Sequence, residues 1–169
     1  RWPFLARGTF RYAFFSKEGG ALYCRRIAAG IVAWLRGKGA AVRENARVVS
    51  VDTDAGKVEL AGGETLSADR VVVTAGAWVL KLFPDLDGTL KTYRTAVVCL
   101  EPPGDLKAAW AAAPVALDVG GTTDGYIIPP SGGGGLKFGS GLHKVATSDA
   151  DWNREPVEGE GEAIRDLFA

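Results

Sequence analysis

The chain has 169 residues, of which 47% are hydrophobic and 24% charged, a composition that is typical of a folded globular protein and excludes a disordered or fibrous one. Its 20 basic and 20 acidic side chains cancel, so net charge alone cannot attract the chain to nucleic acid or to an anionic membrane. The apolar runs, among them Val71–Val73 and Ala108–Ala113, are far shorter than the roughly 20 residues of a membrane span. We therefore expect neither nucleic acid nor a membrane among its partners.

The clearest predicted helix covers residues 21–38. Ile27, Ile31 and Leu35 recur at four-residue spacing and make one apolar stripe. Arg36 and Lys38 lie near the predicted C-terminus, where the helix dipole favours cations, and Gly39 suits the position just past the end.

A change to two-residue alternation follows this helix. Val49 and Val51 alternate with polar residues, and the segments 54–56 and 62–63 are rich in turn residues, which predicts a small antiparallel meander. The β-branched run at residues 70–73 leads into the small residues 74–76, a pattern typical of a central strand covered on both faces. A short helix is predicted at residues 77–83.

From Leu90 onward the pattern indicates mainly short strands. Strands are predicted at residues 93–100, 115–117, 125–128 and 136–140, and helices at residues 107–112 and 158–168. The change in pattern near Leu90 separates an α/β half from a mainly antiparallel α+β half. We expect two incomplete lobes, residues 1–89 and residues 90–169.

The two cysteines, Cys24 and Cys99, have no CxxC spacing and support neither a disulfide framework nor a zinc site. We interpret both as reduced, buried side chains without chemistry, which favours a cytoplasmic setting.

Two blocks of sequence carry a family resemblance. The first is Thr74-Ala75-Gly76-Ala77-Trp78 at the end of a predicted strand, and the second runs from Gly125-Tyr126 to Leu136-Lys137-Phe138-Gly139. Together with the order of elements, they resemble the D-amino-acid-oxidase superfamily of flavoproteins, within it the sarcosine oxidase and N-methyltryptophan oxidase branch. The resemblance implies FAD as cofactor, a partial Rossmann-like FAD-binding lobe at residues 1–89 and a partial substrate-binding sheet at residues 90–169.

Candidate cofactor residues follow from the first block. A dinucleotide laid across strand ends needs a close approach of the backbone, which Thr74, Ala75 and Gly76 permit, although small residues can also serve tight packing. The resemblance further implies that the backbone of Val48 passes along the adenine; by itself Val48 is an ordinary strand valine. Arg94 matches a family segment at the start of the strand under the flavin, with an ion pair as the alternative.

Candidate catalytic residues follow from the second block. The resemblance implies that Lys137 stands over the flavin and assists reduction of O₂, and that Tyr126, eleven residues earlier, lines the amine pocket. An ammonium fixed in a dry site would stabilise the negative charge that develops on oxygen. His143 resembles a family histidine on the substrate side, at a longer step from the lysine. The alternatives are a strand lysine reaching solvent, an aromatic residue at the core edge, and a partly exposed loop histidine.

Acidic residues near the C-terminus are interpreted as helix caps and not as metal ligands. Asp149, Asp151 and Glu158 precede the last predicted helix, and aspartates in such loops usually cap it. We expect no metal.

The sequence lacks the Gly-x-Gly-x-x-Gly turn that binds the pyrophosphate in this family, and it begins at Arg1 without any methionine or signal-peptide pattern. We expect an interior fragment that is inactive alone. The parent enzyme is expected to oxidise the C–N bond of a small amine, such as an N-methyl amino acid, with O₂ as acceptor. The alternatives are a flavin-dependent dehydrogenase and a non-catalytic binding module on the same scaffold.

Overall fold

The structure is a computed structural model that describes residues 2–5, 8, 10–119 and 121–168. These residues form a mixed α/β fold with four α-helices and seven strands. The helices are α1 (Cys24–Gly37), α2 (Val79–Leu82), α3 (Lys107–Ala111) and α4 (Glu160–Asp166). The strands are β1 (Val48–Asp52), β2 (Lys57–Leu60), β3 (Thr65–Ser67), β4 (Tyr93–Leu100), β5 (Ala116–Val119), β6 (Gly125–Ile128) and β7 (Leu136–Ala146).

The strands form two sheets, a three-stranded one in the order β1-β2-β3 and a four-stranded one in the order β4-β7-β6-β5. The chain divides into two compact units around them. The three-stranded unit consists of Cys24–Tyr93 and Ala146–Trp152, and the four-stranded unit holds Arg94–Val145 together with the described residues of Arg1–Tyr23 and Asn153–Ala169. Each unit is therefore built from more than one stretch of the chain.

The meander of the three-stranded unit forms where the alternating pattern predicts it. β1 and β2 run antiparallel with Val51 opposite Val58. The turn between them is closed by Asp52, whose carboxylate accepts hydrogen bonds from the backbone N–H groups of Asp54 and Ala55 at 3.0 and 2.9 Å. Gly56 adopts φ +62°, and a Cβ there would lie 2.6 Å from the carbonyl oxygen of Ala68, so the turn requires glycine.

The predicted central strand at residues 70–76 is wrong. These residues join neither sheet, and Val72 is 83% exposed. A β-branched run becomes a strand only when a neighbouring strand pairs with its backbone, and among the described residues no strand lies alongside this run.

Helix α1 forms as predicted, but it contains no buried residue. Ile27 and Ile31 on its apolar stripe are 44% and 52% exposed. The prediction of buried cysteines is also wrong, because both thiols are exposed and no disulfide joins them. Cys24 is the first residue of α1, which has no buried residue, and Cys99 is one of the exposed residues of β4.

The core of the four-stranded unit is built from Trp110, Ile127 and Leu136. Phe4 stacks on Trp110, with 3.5 Å between ring centroids, and Phe138 contacts Trp110 edge to face. Next to this core lies an apolar cavity of about 520 Å³. Helix α4 anchors itself through Ile164, which is only 1% exposed. Strands β4 and β6 have the predicted bounds, while β7 continues six residues beyond its predicted end at Ser140.

Candidate functional site

Lys137 and Tyr126, the two main catalytic candidates, lie on neighbouring antiparallel strands. Tyr126 on β6 is opposite Gly139 on β7, and Lys137 is opposite Ile128. Directly opposed residues point to the same face of a sheet, as do residues two apart on one strand, so both side chains share one face. The Nζ atom of Lys137 lies 5.9 Å from the centroid of the Tyr126 ring, within cation–π range.

Gly139 makes room for the tyrosine ring. A Cβ on Gly139 would lie 2.5 Å from the hydroxyl oxygen of Tyr126 and 2.6 Å from Cε1, distances that side-chain atoms do not reach. The ring therefore lies directly over the glycine backbone and extends towards Lys137. The register of β6 and β7 and the absence of a side chain at Gly139 therefore place Tyr126 next to Lys137.

The two faces of this sheet differ in burial. Ile127 and Leu136 turn towards the aromatic core and are 5% and 3% exposed. Tyr126 and Lys137, one position along each strand, are only half-buried on the other face. Leu117, which is opposite Tyr126 on β5, is 73% exposed. The face that carries the candidates is thus open, and a planar ligand could lie against it.

Arg94 and His143 meet a residue that the sequence did not single out, Glu160 at the start of α4. Two guanidinium nitrogens of Arg94 donate to the two carboxylate oxygens of Glu160, the Nη2 contact being 2.8 Å. Nε2 of His143 lies 3.0 Å from Oε1 of the same carboxylate. The hydrogen bonds from Arg94 first, and then the one from His143, hold the pKa of Glu160 well below its usual range. The Glu160 carboxylate likewise raises the pKa of Arg94.

Arg94 and His143 therefore share one carboxylate partner in this structure, that of Glu160. Two further donors of Arg94 bond to the backbone carbonyls of Asn153 and Glu155, so in this structure Arg94 forms the ion pair of the alternative interpretation. His143 follows Lys137 by six strand residues, which corresponds to about 20 Å. The structure therefore brings Lys137 together with Tyr126 but not with His143.

The remaining cofactor candidates lie in the three-stranded unit. Val48 begins β1, opposite Leu60. Thr74, Ala75 and Gly76 lead into a short 3-10 helix, Gly76–Trp78, which continues into α2. Gly76 has φ +55°, and the space where a Cβ would lie is open to 4 Å. Helix α2 packs against β1, so the small-residue turn and Val48 belong to one packed substructure.

Asp149 and Asp151 were interpreted as caps of the last helix, and this is wrong. Helix α4 begins only at Glu160, and its first residue is preceded by Gly159 without a side-chain cap. Both carboxylates instead bind Lys81 of α2, at 3.0 Å from Asp149 and 2.5 Å from Asp151. The indole N–H of Trp78 donates to Asp151 at 2.9 Å. The sequence signal was available: Trp78 and Lys81 are three apart on a helical turn and so present their donors on one side.

Among residues 2–5, 8, 10–119 and 121–168, no group of three or more His, Cys, Asp or Glu side chains is arranged to hold a metal ion. In the same residues, no helix has the length and apolar character needed to cross a membrane.

The family model described as FAD dependent oxidoreductase matches residues 1–169, the whole of the chain. No curated protein matches it.

Proposed function

Since the chain belongs to the family of FAD-dependent oxidoreductases, we propose that it is part of an amine oxidase of the sarcosine oxidase type. Its substrate is a small amine, such as an N-methyl amino acid, whose C–N bond is oxidised to an imine. Two electrons and two protons leave the amine and convert O₂ to hydrogen peroxide. The proposed partners are thus the amine and O₂, and the proposed setting is cytoplasmic.

FAD is the cofactor of this family, and the described residues fit it in one respect. The turn at Ala75 and Gly76 has no bulky side chain, and the space beside Gly76 is open, so a dinucleotide could approach its backbone. When bound, FAD accepts the electrons of the amine and passes them to O₂. The Gly-x-Gly-x-x-Gly turn that would hold the pyrophosphate does not occur among these 169 residues.

The observation that supports the proposal best is the pairing of Lys137 with Tyr126 on the open face of the four-stranded sheet. The positive charge of the Lys137 ammonium would stabilise the negative charge that oxygen acquires when it is reduced. The tyrosine offers one ring edge and a hydroxyl group with which an amine substrate can be oriented.

The remaining residues of this face support that arrangement. Gly139 lets the ring lie flat on the strand, and Ile128 and Leu117 give the face an apolar surface around the two polar groups. A mostly apolar surface with a few convergent polar groups is typical of sites for small molecules.

The decisive experiment is the substitution Lys137→Met in the full-length gene product that contains these residues. Methionine keeps an unbranched apolar side chain of nearly the same length and removes the ammonium group with its charge. We expect anaerobic reduction of the bound flavin by the amine to continue, while reoxidation by O₂ slows by about 100-fold, as for loss of one preorganised charge-stabilising group. Stopped-flow absorbance at the flavin bands measures the two half-reactions separately.

Lys144→Met is the matched control, because Lys144 lies on the same strand and is exposed. It should leave both half-reactions unchanged. If Lys137→Met leaves reoxidation by O₂ at the rate of the unsubstituted protein, the oxidase assignment is wrong and a dehydrogenase with another acceptor takes its place. If the protein binds FAD but no amine reduces it, the amine assignment fails.

A further inference from the structure

The contacts of Asp151 suggest a residue that positions the cofactor without touching it. We propose that Asp151, together with Trp78 and Lys81, forms a clamp that holds the Ala75-Gly76 turn in the conformation that FAD needs. The inference rests on the proposed function in one respect, since it takes this turn as the part of the chain that faces the cofactor.

The clamp is formed by both carboxylate oxygens of Asp151. One oxygen accepts from the indole N–H of Trp78 at 2.9 Å, and the other lies 2.5 Å from Nζ of Lys81. These donors lie on consecutive turns of one short helical segment, while Asp151 comes from a loop 70 or more residues later. Asp151 therefore binds that segment at two points and restrains its rotation.

A second carboxylate strengthens the clamp. Asp149 lies 3.0 Å from Nζ of Lys81, and its other role is to accept the backbone N–H of Asp151 at 3.0 Å. The hydrogen bonds that Lys81 donates to Asp151 first, and then to Asp149, raise the pKa of Lys81. The backbone N–H of Asp151 first, then Lys81, lowers the pKa of Asp149. Both shifts favour the charged forms of Lys81 and Asp149, which are the forms that make this ion pair.

The clamped segment is continuous with the predicted cofactor turn. Trp78 is two residues after Gly76, and its backbone N–H donates to the carbonyl oxygen of Ala75 at 3.1 Å, which closes the turn. Gly76 lies between them at φ +55°, a conformation that glycine adopts easily and also leaves easily. Gly76 therefore needs a restraint from outside the turn. Asp151 supplies it by binding the side chain of Trp78, whose backbone closes the turn.

The segment is also tied to the other cofactor candidate. Helix α2, which contains Lys81, packs against β1, the strand that begins with Val48. Loosening the clamp would therefore disturb the Ala75-Gly76 turn relative to Val48 within the three-stranded unit. The expected defect is in how FAD is held, and not in the chemistry at Lys137.

The test compares Asp151→Ala, Asp151→Asn and Trp78→Phe in the full-length gene product. We expect Asp151→Ala to weaken FAD binding by about 10-fold. Residues that position a metal ligand without touching the metal typically contribute about 10- to 100-fold to affinity, and we take the lower end of that range for this analogous case. Trp78→Phe should act in the same direction, because it removes the N–H donor to Asp151 while keeping an aromatic ring at this position. Asp151→Asn should fall between Asp151→Ala and the unsubstituted protein, since its amide oxygen still accepts from the indole.

Three readouts separate positioning from general damage. They are FAD affinity by fluorescence titration of the apoprotein, the visible circular dichroism of the bound flavin, and its reduction potential. The last two apply even where the flavin is attached covalently. Glu64→Ala is the matched control, because Glu64 forms a bidentate ion pair with Arg43 in the same unit at an exposure similar to that of Asp151.

The proposal is overturned if Asp151→Ala and Trp78→Phe leave flavin dichroism, potential and affinity as in the unsubstituted protein. It is equally overturned if Glu64→Ala changes them as much. None of these readouts needs an amine or O₂. A protein that binds FAD but fails to oxidise amines would therefore refute the proposed function, and the same three readouts would still decide whether the clamp exists.

Discussion

The substitution Gly139→Ala tests whether one absent side chain sets the position of Tyr126 beside Lys137. The added Cβ would lie 2.5 Å from the tyrosine hydroxyl oxygen and 2.6 Å from Cε1. Non-bonded carbon atoms are most stable at about 3.5 to 4.0 Å, so the overlap is about 1 Å. The Tyr126 side chain is the flexible partner of this contact, and its ring must leave the strand surface.

The size of the effect follows from that overlap. Adding a methyl group to a well-packed site typically costs about 1 to 3 kcal/mol. For a domain of 150–250 residues, each kcal/mol lowers the melting temperature by about 2 to 4 °C. Displacing the ring should also move it away from Nζ of Lys137, so the amine-dependent half-reaction should slow together with the loss of stability.

Thermal unfolding and stopped-flow flavin reduction of the full-length gene product measure the two effects. Gly134→Ala is the control, because a Cβ there would make an ordinary contact of 3.4 Å with the carbonyl oxygen of Ser131. In a Tyr126→Ala background, where the overlapping ring is absent, Gly139→Ala should lower the melting temperature much less. If Gly139→Ala melts within 1 °C of the unsubstituted protein, or if it costs as much in the Tyr126→Ala background, the steric argument is refuted.

Two further predictions concern α4. Ile164→Ala should lower the free energy of unfolding by about 2 to 5 kcal/mol, because Ile164 is the most deeply buried large side chain described and its removal leaves a cavity. Ala163→Gly, at the exposed neighbouring position, should lower it by no more than about 1 kcal/mol. Equal losses in denaturant unfolding would contradict the packing of α4. Glu160→Gln should lower the melting temperature at pH 7, since Arg94 and His143 then face a neutral group. The folded-state pKa of Glu160 lies below its unfolded value of about 4.3, so the carboxylate stabilises the fold above that pH and ceases to do so as the pH falls through the folded value. The difference in melting temperature between Glu160→Gln and the unsubstituted protein should therefore become smaller below about pH 4. If this difference stays constant from pH 7 to pH 3, the charge of Glu160 does not contribute to stability.

Local patterns predicted most of the elements because their causes are local. Helix α1 follows from its four-residue apolar spacing, and the meander follows from alternation interrupted by Asp52 and the turn glycines. Strand β6 could be predicted from its β-branched and aromatic residues alone. In each case neighbouring residues determine the backbone conformation, so the sequence contains the necessary information.

Three features could not be predicted because their partners lie far away in the chain or do not occur among its described residues. Val71–Val73 has the composition of a buried strand, yet strand formation depends on a neighbouring strand that local sequence does not reveal. Asp149 and Asp151 have the pattern of caps, yet their partners are about 70 residues earlier. Glu160 showed no sign of its role, because nothing near it in sequence indicates Arg94 and His143.

The same limit applies to the candidate site, where one pair of residues could be predicted and the position of a third could not. The proximity of Lys137 and Tyr126 depends on a short β-hairpin whose register the alternation suggests. The resemblance supplied their possible roles, and these roles stay predictions. The separation of His143 from Lys137 could not be foreseen, because it depends on β7 continuing in extended form through residues 141–146.

The position of Glu160 also bears on the order in which the four-stranded unit folds. Its carboxylate contacts Arg94 on β4 and His143 on β7, which are neighbouring strands of one sheet, at sequence separations of 66 and 17 residues. Contacts across long loops form late, because the entropy of closing the loop must be overcome first. Helix α4 can therefore complete its ion pairs only after β4 has joined β7, and this carboxylate should report the last stage of folding: Glu160→Gln should accelerate unfolding while leaving the folding rate nearly unchanged.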